Sequence, residues 1–205
     1  VNDLSRSLKL NSFKSEDLKA ENLYLHRGDC ELKRNKISNA KKDYKKAISL
    51  NPELSNAYNK IGELYESEGD IENAIINYKI AIKISPEKSS PYKSLASILS
   101  NRGELDKALK NYKIATVLTP KDSLSYYSIG KIKHDQKLYK EAINYYSQAI
   151  KYSPNESFYY SSRAKSKEKN NDINGAIKDL SLAISIEPDA FDYEYRGYLK
   201  KGEND

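Results

Sequence analysis

Chemistry in a protein needs a nucleophile, a set of metal ligands or a pair of groups that trade protons, and this sequence offers few candidates. Cys30 is the one cysteine, with no second Cys or His at ligand spacing. Beside Gly28 in a helical pattern, it reads as a small buried residue and not as a reactive thiol. His26 and His134 lie 108 positions apart. That is too far to share a metal in a chain of short packed helices, so each reads as a solvated residue. Serine and aspartate abound, but without a neighbouring His no Ser-His-Asp set assembles. Gly130-Lys131 lacks the preceding glycine of a phosphate loop and falls inside a helical pattern. Glu63, Glu66 and Glu68 lie on a polar helical stretch and read as a solvated face, not an acid–base pair. The expectation is a non-enzymatic chain with no catalytic residue, no metal and no cofactor.

The composition agrees with a binding or structural role. The 205 residues carry 35 Lys+Arg against 29 Asp+Glu, a net charge of only +6. With 31% charged residues, the surface is well mixed and not that of a polyelectrolyte. Mean hydropathy is -0.82, yet 18 tyrosines among many Ile and Leu make the chain too apolar for plain disorder. A single cysteine excludes an internal disulfide framework. No run of ~18 apolar residues is present to span a membrane, and Val1-Asn2-Asp3-Leu4-Ser5-Arg6 lacks the apolar core of a signal peptide. These features point to a soluble, cytoplasmic protein.

The elements that position these residues repeat. Prolines at 52, 86, 120, 154 and 188 stand 34 positions apart. Ala40, Ala74, Ala108, Ala142 and Ala176 keep the same step, as do Ala47, Ala81, Ala115, Ala149 and Ala183. So do Tyr24, Tyr58, Tyr92, Tyr126 and Tyr160, and Tyr44, Tyr78, Tyr112 and Tyr146, a column that Leu180 completes. A fixed period of this length marks a solenoid, a propeller or an array. Within one unit, Tyr58, Ile61, Gly62, Leu64 and Tyr65 form a helical stripe, and Ile71, Ala74, Ile75, Tyr78, Ala81 and Ile82 form a second. Gly69 between them suits a left-handed cap, and Asp70 suits the next N-cap; Asn35, Gly103 and Asn171 sit at the other breaks. Ser85-Pro86 ends the second helix. Helices of ~13 residues cannot bury their apolar faces alone, so the units must stack. The alanines mark the tightest contacts, and most tyrosines read as core with the hydroxyl at the wet edge.

The 34-residue step, the small residue at Gly28, Gly62, Ala96, Gly130 and Ala164, the paired Ala columns and the closing Pro resemble the tetratricopeptide repeat. The resemblance implies an all-α, right-handed α-solenoid of stacked antiparallel helix pairs. It covers five repeats (21–54, 55–88, 89–122, 123–156, 157–190). Two features depart from the family: Tyr stands where Trp is usual in each first helix, and Arg163-Ala164 matches Arg196-Gly197 at a step of 33. Residues 191–205 then make a closing helix with a polar outer face and a tail frayed from Lys200 on. Residues 1–20 match no repeat, and Leu4, Leu8, Phe13 and Leu18 suit a short capping helix.

The resemblance also implies a concave groove, lined by the first helices, that holds a partner peptide or protein. Its positions here include Asn59, Glu63, Lys93, Ser97, Leu124, Tyr127, Lys131, Phe158, Lys165, Lys169, Phe191 and Tyr195. One column changes sign along the chain, reading Asp29, Glu63, Ser97, Lys131, Lys165. The C-terminal half thus combines lysines with aromatic rings, which suits a partner carrying acidic and apolar side chains. Alternatively, Phe158 and Phe191 pack between layers. The carboxylate clamp by which related cochaperones hold chaperone tails is absent, since Lys93 is followed by Ser97, Ser128, Phe158 and Ser162. An RNA-binding role through the basic, tyrosine-rich surface is the alternative reading. The net charges of the five repeats, +3, -2, +3, +2 and 0, leave no continuous basic stripe for it. A structural piece of a longer array is a third. Abundant Lys, Asn, Ile and Tyr and the Arg-Gly pairs look bacterial, and an assembly role for a larger complex is expected by analogy with bacterial arrays.

Overall fold

A computed structural model of the chain describes residues 19–202, and every element among them is an α-helix, eleven in all. The capping helix expected from Leu4 to Leu18 lies outside the described residues. The chain divides into two compact units, one ending at Ile98 and the other beginning at Leu99. In the first, α1 (Ala20–Lys33) pairs with α2 (Ile37–Leu50), α3 (Ser55–Ser67) pairs with α4 (Ile71–Ile84), and α2 packs on α3. α5 (Ser89–Asn101) starts in that unit and crosses its boundary in sequence. The second unit holds α6 (Leu105–Leu118), α7 (Ser123–Asp135), α8 (Tyr139–Tyr152), α9 (Ser157–Lys169), α10 (Ile173–Ile186) and α11 (Ala190–Gly202). Each of these packs on the next, and α7 also touches α9. The class is an all-α solenoid of consecutive helix pairs.

Sequence punctuation accounts for the helix ends. Each first helix stops at a residue with positive φ: Asn35 (59°), Gly69 (78°), Gly103 (75°), Lys137 (61°) and Asn171 (63°). Four of these are the residues that occupy the left-handed region at least cost; Lys137 is not. Asp70 caps α4 by accepting from the Asn73 backbone N–H, and Asp172 caps α10 by accepting from that of Gly175. The second helices each end two residues before their prolines, at Leu50, Ile84, Leu118, Tyr152 and Ile186.

Packing follows the columns. All ten alanines of the two Ala columns are fully buried. Beneath them the tyrosine column presses on the small-residue column. A Cβ on Gly28 would lie 2.5 Å from the Tyr44 ring, one on Gly62 2.6 Å from Tyr78, and one on Gly130 2.7 Å from Tyr146. Where the small residue is Ala164, Leu180 replaces the ring, and the two share a cluster with Ala176 and Leu199. Polar links recur at the same step. Arg27 grips Asp43 with Nε and Nη2, and Arg163 grips Asp179 at 2.8 and 2.7 Å. Asp179 is buried and takes Lys167 as well, at 2.9 Å. Arg163 Nη1 also donates to Ser147 Oγ, 16 positions back, and Arg196 Nη1 to Ser181 Oγ, 15 back.

Three expectations need correction. Cys30 is exposed, not buried, because it sits two residues, about 200° of helix, from buried Gly28. α11 extends past the expected end near Lys200 to Gly202, with buried Leu199 in its last turn. Its outer face is not uniformly polar either, since Tyr193 and Tyr198 stand exposed there.

Candidate partner-binding site

In the first unit the expected groove residues are largely occupied with one another. Asn59 on α3 is buried; its Nδ2 donates to Glu63 Oε1 at 2.7 Å and more weakly to Ser90 Oγ of α5 at 3.4 Å. Glu63 also pairs with Lys60 at 2.9 Å. Lys93 and Ser97 on α5 are half-buried. Asn59 is therefore a joint between two first helices before it is a surface.

The second unit presents more. α7, α9 and α11 are its successive first helices, and each offers an aromatic residue and a lysine or tyrosine on the face expected for the groove. Tyr127 of α7 meets Phe158 of α9 edge to face with ring centroids 5.1 Å apart, and lies 5.2 Å from Tyr159 and 5.6 Å from Tyr146. Phe158 packs on Tyr159 at 4.4 Å and is still 40% exposed. Phe191 of α11 lies 5.7 Å from Tyr195 and is 52% exposed. Phe158 thus packs one edge against the ring of α7 and shows the other to water, whereas the ring contact of Phe191 stays on its own helix. Leu124, in the first turn of α7, is 56% exposed.

The cations differ in how they are held. Lys165 Nζ sits 4.5 Å from the centre of the Phe191 ring, a cation–π contact that steers the ammonium across to α11. Lys169 pairs with its neighbour Glu168 at 3.3 Å, and Glu168 accepts the Tyr195 hydroxyl proton at 3.0 Å. Burial, then that bond, pushes the Tyr195 phenol up. Lys131 is exposed and forms no ion pair with any described residue. Of the expected groove lysines in this unit, Lys131 and Lys165 are exposed and form no ion pair with a described residue, whereas Lys169 does.

Two residues read as solvated are not. His134 is half-buried at the end of α7, its Nδ1 2.8 Å from Ser166 Oγ of α9 and its ring edge-on to Tyr139 of α8 at 5.4 Å. Burial pushes its imidazole down, Lys165 and Lys169 push the same way, and Asp135 and Glu168 oppose. Glu66 accepts the Tyr78 hydroxyl proton at 2.7 Å and is half-buried. Among the described residues no three His, Cys, Asp or Glu side chains are grouped to hold a metal. No described helix is long and apolar enough to cross a membrane.

Comparison with known proteins bears on the architecture. A family model described as TPR repeat matches residues 28–69, and one described as Tetratricopeptide repeat matches 55–88 and 124–156. The chain is a tetratricopeptide-repeat protein. Solved structures of similar fold include Pseudomonas aeruginosa PilF, 18% identical with a TM-score of 0.80, covering 91% of this chain and 85% of that one. YrrB, described as a TPR protein with an unusual peptide-binding site, is 18% identical with a TM-score of 0.70, covering 96% and 97%. MamA is 22% identical with a TM-score of 0.70, covering 82% and 92%. No curated protein matches the sequence. These likenesses concern the fold of a tetratricopeptide array and leave the partner to the chain's own residues.

Proposed function

We propose that this tetratricopeptide-repeat protein is a non-enzymatic interaction scaffold whose C-terminal unit holds a partner segment carrying acidic and apolar side chains together. The observation that supports it most is the presence, on successive first helices, of half-exposed rings and exposed lysines: Lys131 on α7, Phe158 and Lys165 on α9, and Phe191 on α11 beneath the Lys165 ammonium. Rings already held by neighbours lose little freedom on binding, and exposed lysines attract carboxylates at a strength that falls with salt. YrrB, by its description, also binds a peptide, which makes a peptide a reasonable ligand class for such a surface. Assembly of a larger complex is one process such a scaffold serves.

Selection from a displayed random-peptide library tests this. Enriched sequences should place Asp or Glu next to Leu or Phe. Lys131→Glu with Lys165→Glu should weaken their binding by roughly tenfold or more at unchanged melting temperature. Reversal of exposed Lys79 and Lys113 on second helices should do little. Equal loss from both pairs would indicate general attraction of a polyanion and favour the nucleic-acid reading instead.

A further inference from the structure

Tyr146, like Tyr112, departs from the first two tyrosines of its column. Tyr44 and Tyr78, at the equivalent places in α2 and α4, donate their phenol protons to carboxylates of the preceding helix. Tyr44 reaches Asp29 Oδ1 at 2.7 Å and Tyr78 reaches Glu66 Oε2 at 2.7 Å. Tyr146 presses on Gly130 as they press on Gly28 and Gly62, yet among the described residues none accepts a hydrogen bond from its Oη. The sequence explains why. One repeat step after another, the place of Asp29 is taken in this repeat by Lys131, and the place of Glu66 by His134, whose Nδ1 is engaged by Ser166. Asp135 acts on Tyr146 through its field without bonding it.

The hydroxyl is a competent donor. Burial, first, pushes the Tyr146 phenol up and keeps it protonated. The residue retains 3% of its surface, and its oxygen is not sealed off. Among the described residues, Asn59 Oδ1 is the side-chain polar atom both fully enclosed and unpartnered. A donor with water access and no acceptor within the protein is open to one supplied by a ligand, and a charged acceptor gains more than a neutral one.

Building on the scaffold reading above, we propose that Tyr146 Oη–H donates to a carboxylate of the partner segment, which takes in the fourth repeat the place Asp29 fills in the first. Lys131, exposed and free of ion pairs with described residues, supplies the opposite charge on the helix facing it. Tyr127, 5.6 Å from Tyr146, and Phe158, 5.1 Å from Tyr127, form an apolar wall for the adjoining side chain. Asp135 and Glu168 are the opposing charges nearby, and Glu168 is engaged by Lys169 and Tyr195. The recognised unit is a Glu or Asp flanked by Leu or Phe.

The experiment uses the full chain and two synthetic peptides, acetyl-Leu-Glu-Phe-amide and its Gln counterpart. The native chain should prefer the Glu peptide by about tenfold, the worth of one charge-assisted hydrogen bond. Tyr146→Phe should abolish most of that preference without lowering the melting temperature. Tyr78→Phe should lower the melting temperature, since it strips Glu66 of its donor, and keep the preference. Lys131→Asp, which installs the arrangement of the first repeat, should raise the melting temperature and eliminate Glu-peptide binding. No Glu preference in the native chain overturns the inference, as does a preference that survives Tyr146→Phe. A melting temperature for Tyr146→Phe as low as that of Tyr78→Phe overturns it too, because the hydroxyl would then have an internal acceptor. If the Lys131 and Lys165 reversal destroys binding while Tyr146→Phe changes nothing, this inference fails and the scaffold reading stands.

Discussion

Glycine serves two different purposes in this chain, and the difference is measurable. Gly62 sits where a methyl would be 2.6 Å from the Tyr78 ring, so the ring would have to move out of a fully buried place. Gly62→Ala should cost ~1–3 kcal/mol by overpacking. Gly197, in the middle of α11, has nothing within 4 Å of where a Cβ would be. Gly197→Ala should stabilise by roughly 0.5–1 kcal/mol, the ordinary helix-propensity gain. Urea unfolding of both variants checks the pair, and equal effects of either sign would mean the ring does not fill the glycine notch. The small-residue and large-residue columns, 16 positions apart, are legible in the sequence as Gly–Tyr in three repeats, Ala96–Tyr112 in the third and Ala164–Leu180 in the fifth. The free hydroxyl of Tyr146 is not legible as a column, because it arises where one column keeps its tyrosine and another changes from acid to lysine. The buried reading of Cys30 and the solvated reading of His134 both overlook helix arithmetic. At 100° per residue Cys30 falls away from Gly28, whereas His134, four residues after Gly130, falls on the buried side.

At the scale of the elements, the break between α7 and α8 is the weak one. Lys137 holds a φ of 61° that the other breaks assign to Gly or Asn. Lys137→Gly should therefore stabilise by ~1 kcal/mol, the usual penalty of a side chain in the left-handed region, as read from a denaturant midpoint. Just before that turn, His134 ties α7 to α9 through Ser166 and touches α8 through Tyr139. Its imidazole is pushed down in the folded chain, so the unfolded chain takes up a proton first as the pH falls. Its contribution is whole above the unfolded pKa of about 6.5 and declines as acidification proceeds toward the lower folded value. His134→Gln should flatten stability against pH over that interval; an unchanged slope would assign it to other groups. Helix ends were readable from Pro, Gly and Asn, whereas the joint at His134 depends on a serine one repeat away that no local pattern marks.

Across the whole molecule the sign change from Asp29 and Glu63 to Lys131 and Lys165 is compositional and needed no structure to see. What those side chains do with their charge did need one, since Asp29 and Glu63 are spent on Tyr44, Asn59 and Lys60 while Lys131 is not. The hydrogen bonds share another property, the distance along the chain that each must close. Those from Arg27, Arg163 and Arg196 to the following or preceding helix span 15 or 16 positions, and the one from Tyr159 to Ser123 spans 36. Chains wired over such short separations have little loop-closure entropy to overcome and fold rapidly. Within each unit, successive described helices also dock on the one made just before. A ribosome emitting this chain N-terminus first would therefore release it already partly folded, one 34-residue step at a time, with little apolar surface left waiting for distant sequence.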